Sequence, residues 1–202
     1  MRTKASCFSR PGNNGADSPT WPGGYPVDVN DHTIRTVEAL YQACRFPNHP
    51  KIQQAILDEH SPMGAKHRSR ESLAASRADW HDVNIALMRW CLRLKLSQHW
   101  ETFGALLLET GDRSIVECSY KDAFWGARPS GADPEGHPVL IGVNTLGRLL
   151  MELRAQARLG QSAFMMVAPE AYVPALQLLG EPVRAWTRGP HREEPRPGAV
   201  PQ

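Results

Sequence analysis

Apolar residues recur at intervals of three and four along much of the chain, which is the spacing of amphipathic helices. One such series begins after Thr36, a favoured N-cap residue, and stops before Pro47, which cannot continue a helix. The longest series follows Asp79 and continues to about Leu96. Further helices are predicted at 51–60, after Ser61, between 97 and 111, and from Asn144 onwards.

Strand patterns are few and short. Val27 and Val29 alternate with polar residues, and the β-branched pair Ile115 and Val116 permits a second strand. Residues 121–138, "KDAFWGARPSGADPEGHP", are so rich in Gly and Pro that we predict an irregular loop there. The pattern as a whole predicts a mainly α protein with a few short strands at most.

The domain organisation follows from length and local composition. A chain of 202 residues supports one sizeable core and is too short for two ordinary domains. We predict a loop-rich N-terminal segment over 1–24, one domain over 25–158, a C-terminal appendage over 159–186 and a disordered tail over 187–202.

Charge and cysteine content limit the possible partners. The chain has 23 basic and 21 acidic side chains, so no overall field holds a long nucleic acid. It has neither a secretion signal nor an apolar run of about 18 residues, so we expect a cytoplasmic protein with no membrane partner. Its four cysteines form no CxxC pair and are expected to be free thiols.

Several common catalytic motifs are missing from the sequence. It has no HExxH, no GxGxxG after a strand, no Walker-type GxxxxGK[ST] and no GxSxG. The eight histidines are scattered along the chain. We therefore expect neither a metal nor a cofactor in the reaction.

The helix "TVEALYQACRF" carries two stripes. Its apolar row is flanked by Glu38, Gln42 and Arg45, which lie within a narrow arc at helical spacing. One interpretation is a surface network worth tenths of a kcal/mol. The other is a polar stripe that lines a site at the border of the core.

A second concentration of candidate chemistry is "YKDAFWGARPSG". This segment contains Asp122, Phe124 and Trp125 within four residues. The loop must be ordered if both rings are to be hidden from solvent, and ordered loops often carry function. A plain hydrophobic plug is the alternative. In "GVNTLGR", the N–H groups of a helix start can meet an anion near Arg148.

Five blocks of the sequence, taken in order, resemble the YbiA-like family, also called NADAR for its link to NAD and ADP-ribose. The blocks are "TVEALYQACRF", "SPMGAKHRSR", "RADWHDVNIALMRWCLRLKLSQHW", "LLLETGDRSIVECSYKDAFWG" and "GVNTLGRLLMELR". The resemblance covers about residues 25–158. It implies a mainly α domain that cleaves the bond between a ribose C1 and a nitrogen, in riboflavin-pathway intermediates or in ADP-ribosylated guanine bases of nucleic acid.

The resemblance also implies the site residues. Glu38 matches the acidic position of the family's "T-x-E-x-x-Y-Q-A" helix, and Asp122, Trp125 and Gly126 match its "D-x-x-W-G" loop. Carboxylates suit this chemistry because one can stabilise an oxocarbenium-like sugar while a second group protonates the leaving nitrogen or orients water. We assign catalysis to Glu38, Asp122 and Trp125. Substrate binding is assigned to Tyr41, Gln42, Arg45, Lys66, Arg70, Trp80, Gly126, Asn144 and Arg148.

The chain departs from the family pattern at two places. Residues 13–26 replace the usual "F-S-N-F" or "L-S-N" loop, and Arg45 stands where members often have lysine, so this side chain cannot form a Schiff base. The change at Arg45 affects only a covalent lysine route and not the carboxylate route, whereas the altered loop motivates the first of two alternatives that stay open. One is a module of the same fold that binds ADP-ribose or NAD derivatives without turnover, and the other is an interaction protein in which both stripes are packing.

Overall fold

A computed structural model of the chain describes residues 25–189 and the backbone of residues 5–8. The altered loop at 13–26 therefore lies almost wholly outside the described residues, as does the predicted tail from residue 190 onwards. The elements are, in chain order, β1 (Ala5–Phe8), β2 (Val27–Val29), β3 (His32–Ile34), α1 (Val37–Ala43), α2 (Pro50–Leu57), α3 (Pro62–Glu71), α4 (Trp80–Gln98), α5 (Ala105–Glu109), β4 (Ser114–Glu117), β5 (Arg128–Ala132), β6 (Pro138–Ile141), α6 (Thr145–Ala157), β7 (Met166–Val167), β8 (Gln177–Leu178), β9 (Glu181–Pro182) and β10 (Trp186–Thr187).

The prediction of a mainly α fold is wrong. The chain is 45% helical and 18% strand, which makes it an α/β fold. Within the described part of the chain, the strands form five two-stranded sheets: β1 pairs with β4 in parallel, and the antiparallel pairs are β2 with β3, β5 with β6, β8 with β9 and β7 with β10.

The β5–β6 hairpin lies in the segment that we predicted to be irregular. Its strands carry no alternating apolar pattern, because both of its faces are largely exposed. Turn chemistry forms it instead. Gly131 and Gly136 adopt φ of 96° and 84°, and Asp133 Oδ1 accepts hydrogen bonds from the N–H groups of Glu135 (3.0 Å) and His137 (2.8 Å).

Short polar side chains begin two of the helices as the sequence predicts. Thr36 Oγ1 accepts a hydrogen bond from the Ala39 N–H at 3.1 Å at the start of α1. Ser61 Oγ accepts from the Gly64 N–H at 3.0 Å, and Pro62 follows as the first residue of α3. These caps fix where the two helices that flank the candidate site begin.

Helix α4 begins differently. Asp79 is at its N-cap position, but the carboxylate does not cap the helix and instead binds Arg77 through Nε (2.6 Å) and Nη2 (2.9 Å). The Arg77 N–H donates to the Arg45 carbonyl at 2.9 Å, and Arg77 Nη2 also donates to the Pro174 carbonyl at 2.8 Å. Arg77 thereby holds the start of α4 against the end of α1 and against the C-terminal residues.

The core is built around α4, whose buried side chains include the largest in the protein, Trp90. Residues 159–186 contribute to the same core through Phe164 and Leu178, which are fully buried. Gln53 connects the two parts, since its Nε2 donates to the carbonyls of Ala43 (3.1 Å) and Gln177 (2.8 Å). The C-terminal residues are therefore packed against α1 and α2.

Two of the cysteines, Cys44 and Cys91, are free thiols in the core, as expected. Cys118 is disulfide-bonded, so the expectation of free thiols is wrong for this residue. In the described ranges, no helix combines the length and the apolar character that a membrane span requires.

Candidate active site

The polar stripe of α1 lies at the border of the core. Glu38 is half-buried, and its Oε1 accepts a hydrogen bond of 2.9 Å from Gln42 Nε2, whose side chain is buried. A network on a solvated surface would leave both groups open to water. The amide instead fixes the orientation of the carboxylate from one helical turn away.

Arg45 continues this stripe by one more turn. Its guanidinium carbon lies 4.6 Å from the centroid of the Trp80 ring, which is the geometry of a cation–π contact. Burial lowers the pKa of Arg45 from its ordinary value, and its Nε is buried with no hydrogen-bond partner in the described part of the chain. A buried donor of this kind suits a ligand that brings an acceptor oxygen.

Aromatic rings form the apolar wall of the site. The Tyr41 ring lies 5.2 Å from that of Trp80, and it meets that of Trp125 edge-on at 5.6 Å, with an interplanar angle of 78°. Burial, followed by the negative charge of Glu38, raises the pKa of Tyr41 well above its ordinary value. The phenol therefore stays protonated beside the carboxylate.

Asp122 organises the loop that carries Trp125. Its Oδ1 accepts hydrogen bonds from the N–H groups of Phe124 (3.1 Å) and Trp125 (2.9 Å), and its own N–H donates to Ser119 Oγ at 3.0 Å. The second carboxylate oxygen lies 3.9 Å from Lys66 Nζ on α3. Asp122 thus holds the loop with one oxygen and faces a cation with the other.

Gly126 allows this loop to approach β4 closely. A Cβ at this position would lie 2.4 Å from the Glu117 carbonyl oxygen, which is closer than any carbon and oxygen can pack. The next residue, Ala127, donates its N–H to the same carbonyl at 2.8 Å. Any side chain at position 126 would push the loop, and with it Trp125, away from the strand.

The start of α6 is docked on the same loop. The Asn144 side chain accepts from the Glu117 N–H at 3.0 Å and donates to the Ile115 carbonyl at 2.8 Å, which fixes it to β4. Four N–H groups of this helix start donate to loop carbonyls, in the pairs Val143 to Ala123, Asn144 to Gly126, Thr145 to Phe124 and Leu146 to Trp125. Because these donors are used, the expected anion site at this helix start is not formed by them.

The structure brings most of the predicted residues into one set of connected contacts. This set, which we call the Glu38 cluster, consists of Glu38, Tyr41, Gln42, Arg45, Lys66, Trp80, Asp122, Trp125 and Gly126. Asn144 touches it through the backbone of Gly126, and Arg70 and Arg148 are exposed on α3 and α6. Phe124, which the sequence predicted to be hidden, is 42% exposed.

Two residues that support the cluster were not predicted from the sequence. Arg77 contacts the backbone of Arg45 and Pro174, which are distant along the chain, so no spacing rule predicts these pairs. Ser119 accepts from the N–H three residues ahead, as Thr36 and Ser61 do, but it does not precede a helix whose pattern would have marked it. A concave space of about 660 Å³ lies elsewhere on the described surface and is lined by Asn30, Asp31, His32, Glu181, Pro182 and Arg184.

One group of possible metal ligands occurs in the described residues, at the turn of the β5–β6 hairpin. Donor atoms of Asp133, Glu135 and His137 lie within 4.8 Å of one another. Glu135 and His137 are exposed, and Asp133 Oδ1 is already an acceptor for two backbone N–H groups of the turn. The prediction of a reaction without a metal stays a prediction.

Comparison with known proteins places these residues in a family. Residues 4–158 match the model of the NADAR domain. N-glycosidase YbiA of Escherichia coli is 37% identical over 132 residues, which is 65% of this chain and 76% of that protein. An N-glycosidase of Nostoc punctiforme is 32% identical over 134 residues, covering 65% of this chain and 80% of its own length.

Two further matches are a relative named for riboflavin biosynthesis and a solved structure. A riboflavin biosynthesis protein of Vibrio vulnificus is 38% identical over 134 residues, covering 65% of this chain but 34% of that protein. The NMR structure of the Escherichia coli protein YbiA superposes with a TM-score of 0.58 at 31% identity, covering 78% of this chain and 88% of the other.

Proposed function

Because the chain belongs to the NADAR domain family, we propose that its Glu38 cluster is where it hydrolyses the bond between a ribose C1 and a nitrogen. The chain is a hydrolase that acts on N-glycosidic bonds, since its relatives in the NADAR family are named as N-glycosidases. The observation that carries the assignment of the site is that the polar stripe of α1 holds both an oriented, half-buried carboxylate, Glu38, and a buried Nε of Arg45 that has no hydrogen-bond partner in the described residues.

The proposed substrate is a phosphoribosylated or ADP-ribosylated compound. Arg45 and Lys66 supply positive charge within the Glu38 cluster, and such cations suit the phosphate groups of these compounds. The Vibrio vulnificus relative is named for riboflavin biosynthesis, which favours a phosphoribosylated aminopyrimidine. An ADP-ribosylated guanine base in nucleic acid has the same bond and the same kind of phosphate.

Glu38 is the proposed stabiliser of the transition state. As the bond between C1 and nitrogen breaks, its electron pair goes to the nitrogen and the ribose gains positive charge, which a carboxylate held by Gln42 stabilises. Water then adds its oxygen to C1. One of its protons is lost and the leaving nitrogen gains one. Burial raises the pKa of Tyr41, so the phenol stays protonated and adds no second negative charge next to Glu38.

Asp122 has a different role in this proposal. One of its oxygens holds two N–H groups of the loop, and the other faces Lys66, so its carboxylate places Trp125 and pairs with a substrate-binding cation. Sequence reasoning left open how the two carboxylates divide the work. The contacts favour Glu38 next to the sugar and Asp122 as the residue that orders the loop and can orient water.

The test is incubation of the purified protein with two compounds, an aminopyrimidine ribose phosphate and an ADP-ribosylated guanine oligonucleotide. Mass spectrometry follows the released base together with ribose phosphate or ADP-ribose. Release from one compound identifies the substrate class. A folded protein that releases nothing from either would overturn the proposed substrates.

The second candidate function is binding of ADP-ribose or an NAD derivative without turnover. It is motivated by residues 13–26, which replace the loop that family members usually carry before the first block. In that case the Glu38→Gln variant and the unmodified protein would bind ADP-ribose equally well, and neither would form product. The two functions therefore differ in a single comparison.

A further inference from the structure

Four aromatic rings form a continuous series from the core to the surface. Trp80 contacts Tyr41 at 5.2 Å, Tyr41 contacts Trp125 at 5.6 Å, and Trp125 contacts Phe124 at 5.3 Å between ring centroids. The inner end is 7% exposed at Trp80, and the outer end is 42% exposed at Phe124. The series thus starts beneath Arg45 and ends at the outer side of the Glu38 cluster.

The exposed ring stands on a fixed backbone. The Phe124 N–H donates to Asp122 Oδ1 at 3.1 Å, and its carbonyl accepts from the Thr145 N–H at 3.0 Å. Both of its backbone polar groups are therefore bound, one to the loop and one to the start of α6. Because this backbone is already ordered, a ligand that binds the exposed ring has less conformational entropy to remove. A binding platform requires such an ordered support.

Phe124 differs in this respect from Trp125, to which the sequence analysis assigned a catalytic role. The Trp125 ring is half-buried and has an edge contact on each side, with Tyr41 at 78° and with Phe124 at 85°. Its surface is largely used within the protein. Within the series of four rings, the most exposed aromatic surface belongs to Phe124.

We propose that Phe124 is the residue that stacks on the planar nitrogen base of the substrate and so selects compounds whose leaving group is aromatic. The proposal rests on the proposed function for the identity of the molecule that brings this base to the site. A phenyl ring attracts any heterocycle through its face, whereas the Lys66 ammonium, 3.9 Å from Asp122 Oδ2, is a point charge that suits phosphate rather than the base. Base and phosphate are thus recognised by separate side chains.

The test is a binding measurement that does not need turnover. Guanosine monophosphate is the probe, since guanine contains an aminopyrimidine ring, and ribose 5-phosphate is the matched probe without a base. Titration calorimetry of Phe124→Ala should show guanosine monophosphate binding weakened by roughly 5- to 100-fold, the range for loss of one base stack. Binding of ribose 5-phosphate should not change, and Phe124→Trp should restore the affinity.

Tyr120 provides a matched control on the same loop. It is 68% exposed and lies outside the series of four rings, so Tyr120→Ala should leave both affinities unchanged. Equal affinity of the unmodified protein and Phe124→Ala for guanosine monophosphate would overturn the stacking role, even if turnover of a ribosyl substrate is found. Weakened binding in Phe124→Ala from a protein without turnover would support the stacking role and contradict the proposed hydrolysis.

Discussion

Helix α4 has a cation packed against aromatic rings near each of its ends, and the two ends differ in what surrounds the cation. At its start, the Arg45 guanidinium lies 4.6 Å from the centroid of the Trp80 ring. Near its end, the Lys95 ammonium lies 4.4 Å from the ring centroid of Tyr25 and 4.1 Å from that of Phe103. Seen only as cation–π contacts, the two arrangements are equivalent.

The two ends of α4 differ in the polar groups that surround each cation. The start of α4 adjoins the oriented carboxylate of Glu38 and the Asp122 loop, which are the groups that sugar chemistry requires. At the end, Gln98 exchanges two hydrogen bonds with the backbone of Asp28, at 2.7 and 2.9 Å, and His99 bonds the Pro26 carbonyl at 2.5 Å. These bonds hold the chain before β2 against α4. The cation–π contact is thus common to both ends of α4, and the groups that suit the proposed reaction accompany it at the start of the helix.

The largest expected effect is on turnover in Glu38→Gln. The amide keeps the size of the side chain and loses the negative charge, so turnover should fall by roughly 10²- to 10⁴-fold. The melting temperature should change little, because a half-buried carboxylate is replaced by a neutral group that still accepts from Gln42. The measurements are initial rates and thermal denaturation.

Glu71 is a suitable control for this variant because it is an exposed carboxylate on α3. Glu71→Gln should keep normal turnover. If Glu38→Gln also turned over substrate at the normal rate, Glu38 could not be the stabilising carboxylate. A large loss of stability in Glu38→Gln without any ligand binding would instead favour the interpretation as an interaction protein.

The next effect directly compares the two cations. Arg45→Met should raise KM or Kd for the phosphorylated substrate by roughly 10- to 100-fold, because a charge-assisted bond to phosphate is lost. Lys95→Met should leave both constants unchanged. Substrate titration of the two variants checks this difference, and equal losses in both would remove the distinction between the two ends of α4.

A smaller effect separates the two tasks of Asp122. Asp122→Asn keeps an oxygen acceptor for the N–H groups of Phe124 and Trp125, so its free energy of unfolding should stay close to that of the unmodified protein. Asp122→Ala leaves both N–H donors without this acceptor, so it should lower the free energy of unfolding by about 1–2 kcal/mol. Urea denaturation measures this difference. The loop-holding role would be refuted by two variants of equal stability.

Both Asp122 variants should also turn over substrate about 10²-fold more slowly, because each lacks the negative charge that faces Lys66. Initial rates at saturating substrate measure this loss. Normal turnover in Asp122→Asn would show that only the loop-holding role matters for the reaction.

The smallest effect is a pH dependence of stability from Lys95. Burial lowers its pKa from 10.5 to about 7, so between these values the unfolded chain binds the proton that the folded protein releases. The free energy of unfolding should therefore rise as pH increases from about 7 towards 10.5. Lys95→Met should flatten this rise, whereas exposed Lys51→Met should keep it. Urea midpoints from pH 6 to 9.5 would contradict the assignment if Lys95→Met retained the full slope.

Local rules predicted the helices well because their signals lie within a few residues. Thr36 and Ser61 cap α1 and α3 as predicted, and the long apolar series after Asp79 forms α4. The same rules failed for the β5–β6 hairpin, whose strands are exposed and whose turn depends on Gly136 and on Asp133. This hairpin is one reason why the predicted fold class was wrong, since the short strands β3 and β7 to β10 were not predicted either.

The sequence by itself determined the helical spacing, the caps, the family resemblance and the placing of Glu38, Gln42 and Arg45 on one arc of α1, since each of these depends on neighbours in the chain or on ordered blocks. Only the tertiary structure decided what this arc faces. The contact of Tyr41 with Trp125, the bonds from Asp122 to its loop and the exposure of Phe124 all depend on how α1, α4 and α6 pack. Burial and contacts between distant segments are set by that packing, which no periodicity along the chain encodes.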